Sequence, residues 1–178
     1  MLDVPPASKY LYKQGKLRIR ASARREDIDY TRILSVEAHE EGRFRDYRFS
    51  HKKRDAFLMN AVTNPQFWHL IIAEVDATPV GFLYCVANEY IVGVEDLMTT
   101  VYAYYVRKQF RETMIGGKAA ILMMRACIGW SRKKNCREVM VHATSGIDAL
   151  RTDRFLKRTG FSTIGGNYAL LLNRLKTT

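Results

Sequence analysis

The residues with the clearest chemical potential lie between Val101 and Ala120, VYAYYV followed by RKQFRETMIGGKAA. Tyr102, Tyr104, Tyr105 and Val106 are aromatic or β-branched and read as a strand. Ile115 to Met124 is apolar and rich in alanine, leucine and methionine, so a buried helix follows. A strand that enters a helix through a short loop aims several backbone N–H groups, and the positive end of the helix dipole, at one point. That makes an anion site. Gly116 and Gly117 let a phosphate approach the backbone closely, while Arg111 and Lys118 supply charge. The simplest competing use of Gly116-Gly117 is tight packing of the helix on a sheet.

The elements that must position this loop can be read in order. Residues 1–16 form a polar, proline-containing arm, and residues 17–178 a single domain. Leu17-Arg-Ile-Arg-Ala alternates as a half-exposed first strand. One helix starts at Glu26-Asp27, with Ile28, Ile33, Leu34 and Val36 as its apolar residues. A charged connector follows, then a second helix with Ser50 as N-cap, ending before Pro65 and burying Phe57, Leu58, Ala61 and Val62. Residues 67–75 and 80–87 make a hairpin around the turn Asp76-Ala-Thr-Pro, and residues 88–96 form a loop. After the organising strand, loop and helix come a fifth strand from Glu138, and a helix from about Ile147 that stops at Thr159-Gly160. Phe161 to Leu175, interrupted by Gly165-Gly166-Asn167, reads as a closing hairpin or bulged strands. The fold class is α/β, a mixed sheet with helices on both faces.

The chain has 178 residues, 47% of them hydrophobic and 26% charged, which is enough for one buried core and argues against wholesale disorder. No run approaches the roughly 18 apolar residues that span a membrane, and residues 1–16 have no apolar signal-peptide region. Cys85, Cys127 and Cys136 are odd in number and far apart, as expected of free thiols in a reducing compartment. His39, His51, His69 and His142 show no ligand spacing, so no metal site is expected. These negatives make the cytoplasm the expected location. The net charge of +11 favours polyanionic partners: a phosphorylated cofactor, an acidic acceptor or nucleic acid. Arg151, Arg154 and Arg158 lie at i, i+3 and i+7 and form one helical stripe, flanked by Lys157. A solvated face and a polyanion-binding face are both open readings of it.

Val106-Arg-Lys-Gln-Phe-Arg111-Glu-Thr-Met-Ile-Gly116-Gly117 resembles the acyl-CoA loop of the GCN5-related N-acetyltransferases, the GNAT superfamily. That family's pattern is a strand ending in Val, a short linker, then Arg/Gln-x-x-Gly-x-Gly/Ala at the start of a helix. Arg111 and Gly116 take its first and last positions, and Met114 stands at its first glycine. A second signature, an aromatic pair followed by x-x-x-Gly-Phe, is matched by Phe155 to Phe161, with Leu156 where tyrosine is usual. The element order is similar over about residues 17–175. Details such as Thr144-Ser145-Gly146 resemble members found in tailed-phage genomes.

The resemblance implies a mostly antiparallel central sheet and an acetyl-CoA-dependent N-acetyltransferase, in which a primary amine attacks directly. Acetyl-CoA is then the co-substrate, with no metal. Backbone groups of Tyr104, Tyr105 and Val106 would pair with the pantetheine arm. Arg111, Glu112, Thr113, Met114, Ile115, Gly116, Gly117 and Lys118 would cradle the pyrophosphate, and Phe155 of the second signature would line the cofactor site. Since this helix runs near the cofactor in the family, Arg158 of the arginine stripe is a further candidate, toward the adenosine phosphates. Leu156 cannot donate a proton, so Tyr168 is the substitute candidate for the acid. His142 and Glu41 are candidate bases, with Glu95-Asp96 or water as alternatives. The acceptor stays open: an acidic protein, or an aminoacyl-tRNA as in the toxin branch, with nucleic acid less favoured, no membrane partner and a homodimer compatible. The competing reading is a catalytically degenerate GNAT-fold module that binds CoA, an acidic protein or nucleic acid, motivated by Met114 and Leu156.

Overall fold

The computed structural model describes residues 10–170. It divides into two compact units, Met1–His142 and Ala143–Thr178. The first unit is built on a six-stranded sheet in sequence order: β1 (Tyr10–Gln14), β2 (Leu17–Ala21), β3 (Trp68–Val75), β4 (Thr78–Glu89), β5 (Leu97–Val106) and β6 (Glu138–Val141). Neighbours pair antiparallel up to β5, and β5 pairs parallel with β6. The helices of this unit are α1 (Arg25–Tyr30), α2 (Arg32–Glu41), α3 (His51–Thr63), the single turn α4 (Lys108–Arg111) and α5 (Met114–Lys133).

The β3–β4 hairpin turns on Asp76 and Ala77, both at positive φ (47° and 60°), the two-residue turn whose twist matches that of its strands. Leu70, Ile71, Ile72, Leu83 and Tyr84 at its centre are fully buried. Side chains alternate between two helical layers. Trp68 and Tyr84 face α3, where Phe57 meets both rings edge-on at 5.6 and 4.9 Å, and Trp68 also stacks on Tyr84 and Tyr102. His69 and Cys85 face α5 instead: His69 stacks on Trp130 at 5.0 Å and the Cys85 and Cys127 thiols lie 3.7 Å apart. Gly81 marks where α5 presses closest, since a Cβ there would come 2.9 Å from the Met123 methyl and 2.8 Å from the Tyr105 carbonyl. Ser50 caps α3 as its sequence suggests, its hydroxyl accepting from the Lys53 N–H.

Several expectations are corrected. Residues 10–14, read as part of an arm, form β1 against β2, while residues 1–9 lie outside the described range. The single helix expected from Glu26 is two, α1 and α2, broken at Thr31. The Thr31 hydroxyl bonds back to the Asp27 and Ile28 carbonyls and accepts from Arg54, a local bond that competes with helix continuation. Ile33 is exposed, and so is Phe57 in part; Ile28, Leu34, Leu58 and Ala61 carry the burial. β4 runs on through Asn88 and Glu89 into the stretch read as loop.

The second unit contains α6 (Ala149–Arg158). It stops at Gly160, φ 95°, where the Gly160 N–H donates to Lys157 and the Phe161 N–H to Leu156, the expected left-handed stop. The closing hairpin is not formed within residues 161–170, which have no assigned strand, and its remainder lies outside the described residues.

Candidate functional site

β5 changes partners along its length. Met98 to Val101 pair with Glu138 to Val141 of β6, and the ladder stops there. On its other side β5 stays paired with β4 to the end, Gly81 opposite Val106. The register shifts between Tyr84–Ala103 and Cys85–Val101, so Tyr102 is the extra, bulged residue, at the point where β6 ends. A bulge bends and twists its strand, which is how β5 leaves β6. Among the described strands, Tyr102 to Val106 therefore have β4 as their one ladder partner, the ladder to β6 having ended at Val101. Tyr104 and Tyr105 are both held neutral, their phenol pKa values raised above the usual range, chiefly by burial.

That stretch leads through α4 to the N-terminus of α5. Thr113 caps α5, its hydroxyl accepting from the Gly116 N–H, and the Gly117 N–H donates to the Thr113 carbonyl. Met114 and Ile115, the first two residues of the helix, have N–H groups with no intrahelical acceptor. Gly116 is required by contact: a Cβ would fall 1.8 Å from the Phe110 carbonyl oxygen. Gly117 has open space on the same construction, and Met114 is 80% exposed. Met114 thus departs from the glycine pattern without crowding the backbone. Glu112 and Lys118 are exposed beside it. Bare N–H groups, an open glycine and a lysine at the end of a strand that has parted from its parallel neighbour fit an anionic, extended cofactor.

Arg111 is turned elsewhere. Its Nε donates to the Val106 carbonyl (2.7 Å), its Nη1 pairs with Glu41 Oε2 (2.7 Å), and its guanidinium lies over the Tyr105 ring (5.0 Å). The Tyr105 hydroxyl donates to Glu41 Oε1 at 2.5 Å. One turn earlier on α2, Glu37 takes both Nε and Nη2 of Arg107, at 2.9 and 2.5 Å. Burial pushes the Glu41 carboxyl pKa up, but the bonds from Arg111 and Tyr105 outweigh it and hold the group below the usual range. A carboxylate so held is a weak proton acceptor.

The other expected residues lie on other elements. His142 is exposed and lies one residue beyond β6 rather than within it, following Val141, the partner of Val101. In the second unit Tyr168 is 98% exposed, Phe155 is half-buried and Arg158 exposed on α6. Arg151 pairs with Asp148 and Lys157 with Asp153, both within that unit. The Glu37–Arg107 and Glu41–Arg111 pairs were not anticipated. Their only trace in sequence is a matched spacing of four, Glu37 to Glu41 and Arg107 to Arg111. Among the described residues no group of three or more His, Cys, Asp or Glu could hold a metal, and no helix is long and apolar enough to cross a membrane.

Comparisons with known proteins bear on the same elements. An aminoglycoside acetyltransferase, meta-AAC0020, from an uncultured soil metagenomic sample, solved with trehalose, superposes with a TM-score of 0.63 at 20% identity, over 88% of this chain and 97% of that one. AAC(6')-Iy, in complex with a bisubstrate analog, CoA-S-monomethyl-acetylneamine, gives 0.62 at 16% identity over 88% and 98%. Glucosamine-6-phosphate N-acetyltransferase from Arabidopsis thaliana gives 0.64 at 11% identity over 88% and 99%. At these identities the likeness is one of fold. No curated protein matches the chain by sequence. The sequence model described as the Acetyltransferase (GNAT) family matches residues 30–161, a span running from the end of α1 through the split between β5 and β6 to Phe161. The chain belongs to the acetyltransferase (GNAT) family.

Proposed function

We propose that the protein transfers an acetyl group from acetyl-CoA to a primary amine by direct attack of the amine. The observation that carries this reading is the parting of β5 from β6 after Val101, which leads Tyr102 to Val106 into the bare N–H groups at the start of α5. The CoA-containing analog on a structural neighbour supports the same cofactor class. Acetyl-CoA supplies an activated thioester whose sulfur is a fair leaving group compared with an amine.

The chain's own residues hold and orient. Backbone groups of Tyr104, Tyr105 and Val106 bind the extended pantetheine arm as a strand would. The N–H groups of Met114 and Ile115, with Gly117 and Lys118, take the pyrophosphate. Glu112 and Thr113 shape the turn, and Gly116 lets it close. His142, which follows the last residue pair of the β5–β6 ladder, is assigned removal of the amine proton. Tyr168 is assigned protonation of the leaving sulfur, and Phe155 and Arg158 the nucleotide end of the cofactor. The net charge of +11 supports an acceptor that carries negative charge, an acidic protein ahead of nucleic acid, in a cytoplasmic setting.

Calorimetric titration with acetyl-CoA tests the reading. Micromolar binding that weakens in Lys118→Gln supports it, and no binding by the parent chain overturns it. His142→Gln is expected to lower kcat by about 100-fold at neutral pH once an acceptor amine is supplied, the usual contribution of a positioned base. Tyr168→Phe separates the acid: an effect below about twofold removes that assignment, since general acid catalysis contributes far more than this.

A further inference from the structure

Arg111 occupies the position that would be expected to offer positive charge to the cofactor phosphates, yet its charge is already answered. Glu41 Oε2 sits 2.7 Å from Nη1, and the side chains of this pair are only 17% and 24% exposed. Nε is spent on the Val106 carbonyl, and the guanidinium plane lies over the Tyr105 ring. Arg107 repeats the arrangement with Glu37 in a two-point pair. Glu37 and Glu41 are four apart on α2, hence on one face, and Arg107 and Arg111 are four apart across α4. The result is a two-rung ladder that fastens α2 to the turn between β5 and α5. Tyr105 braces the second rung by donating to Glu41 Oε1.

We infer that Arg111 is a positioning residue, acting with Glu41 to hold the cofactor turn in its binding shape, and that it does not serve as a phosphate-binding cation. The inference rests on the acetyl-CoA reading above and narrows it: the anion is taken by the helix N–H groups and Lys118. With Nε and Nη1 committed and one face of the guanidinium on the Tyr105 ring, Arg111 could turn toward a phosphate only by abandoning Glu41 in a half-buried place. α2 then becomes part of the cofactor site without touching the cofactor, because its carboxylates set where residues 107–111 sit.

The two roles predict opposite signs for one substitution. If Arg111 is a phosphate ligand, Glu41 competes with the phosphate for it, so Glu41→Gln frees the arginine and tightens CoA binding. If Arg111 is a positioning residue, Glu41→Gln loosens the turn and weakens CoA binding. CoA affinity is measured by calorimetry for the parent, Arg111→Gln, Glu41→Gln and the double variant, all well below each protein's melting temperature so that only folded protein is compared. The expected result is about a tenfold weakening in each single variant and no further loss in the double variant, as for two residues that act through one contact. The salt dependence of binding stays parent-like in Arg111→Gln and becomes shallower in Lys118→Gln. Tighter or unchanged binding in Glu41→Gln, beside weaker binding in Arg111→Gln, overturns the positioning role and leaves the acetyl-CoA reading intact. A parent chain that binds no CoA overturns both.

Discussion

Gly116 and Gly117 are neighbours with opposite structural demands, and substituting each by alanine exposes the difference. At Gly116 the new methyl would stand 1.8 Å from the Phe110 carbonyl oxygen and 2.4 Å from its carbon, contacts with backbone that no side-chain rotation relieves. Either α5 or the α4 turn must move. Overpacking typically costs about 1–3 kcal/mol, and an obstacle made of backbone places Gly116→Ala at the upper end, about 3 kcal/mol. At about 2–4 °C per kcal/mol for a chain of this size, the melting temperature should fall by roughly 6–12 °C. At Gly117 the methyl meets nothing within 4 Å, and the position lies inside a 20-residue helix. There alanine removes the entropy cost of glycine, so Gly117→Ala should gain about 0.5–1 kcal/mol. Urea midpoints with an unchanged slope measure both changes, and acetyl-CoA titration is run in parallel. Gly116→Ala should weaken binding by displacing the turn. Gly117→Ala should stabilise the fold while reducing affinity, because it covers backbone that the cofactor needs bare. Equal stabilities for the two variants would refute the packing argument. A Gly117→Ala protein with parent-like affinity would refute the close approach of the phosphate.

Other consequences can be measured on the same protein. His69 is half-buried against Trp130, and that desolvation, with Lys134 nearby, pushes its pKa down to about 4. The unfolded chain therefore takes up a proton that the folded chain resists, so stability is full above pH 6.5 and falls by about 3 kcal/mol as the pH drops to 4; His69→Gln should flatten this limb in urea titrations. Glu41 has a depressed pKa, so its contribution is present above the ordinary carboxylate range and is lost only as the pH falls through its lowered value; CoA affinity should share that acid limb in the parent and lose it in Glu41→Gln. Asp27 holds buried Arg20 at 2.6 Å and also accepts from the Ala23 and Arg24 N–H groups, so Asp27→Ala should cost about 3–5 kcal/mol by chemical denaturation. A loss under 1 kcal/mol would mean that Glu74, 3.0 Å from the Arg20 Nε, suffices alone.

What was legible in the sequence was local. The Ser50 cap and the stop at Gly160 each depend on residues within a few positions of one another and appear as read, while the turn read over Asp76-Ala-Thr-Pro is shorter, Thr78 and Pro79 belonging to β4. The strand-loop-helix around Arg111 could be read for the same reason, because residue type and helix polarity decide it. The Glu41–Arg111 contact could not, since 70 residues separate its members and only the packing of α2 beside β5 joins them. The same limit hid the break at Thr31, which needs Arg54 from α3 to occupy the hydroxyl. The split between β5 and β6 depends on where β6 ends relative to Val101, a matter of register that alternation along one strand does not encode. Residues 161–170 show the reverse case, turn residues at Gly165-Gly166-Asn167 without a ladder beside them.

The stacked aromatic rings give the protein two optical reporters. Of its two tryptophans, Trp68 stacks on Tyr102, the half-exposed bulge residue at the mouth of the split. Trp130 lies on the opposite side of the sheet, face to face with His69 at 5°. Indole emission responds to what touches the ring, so filling the split should alter the Trp68 signal through Tyr102 and leave Trp130 silent. Acid should do the reverse, because a protonated imidazole quenches the indole it stacks on. Replacing either tryptophan by phenylalanine leaves a single-colour chain, in which occupancy of the split and protonation at His69 are read separately, without any added dye.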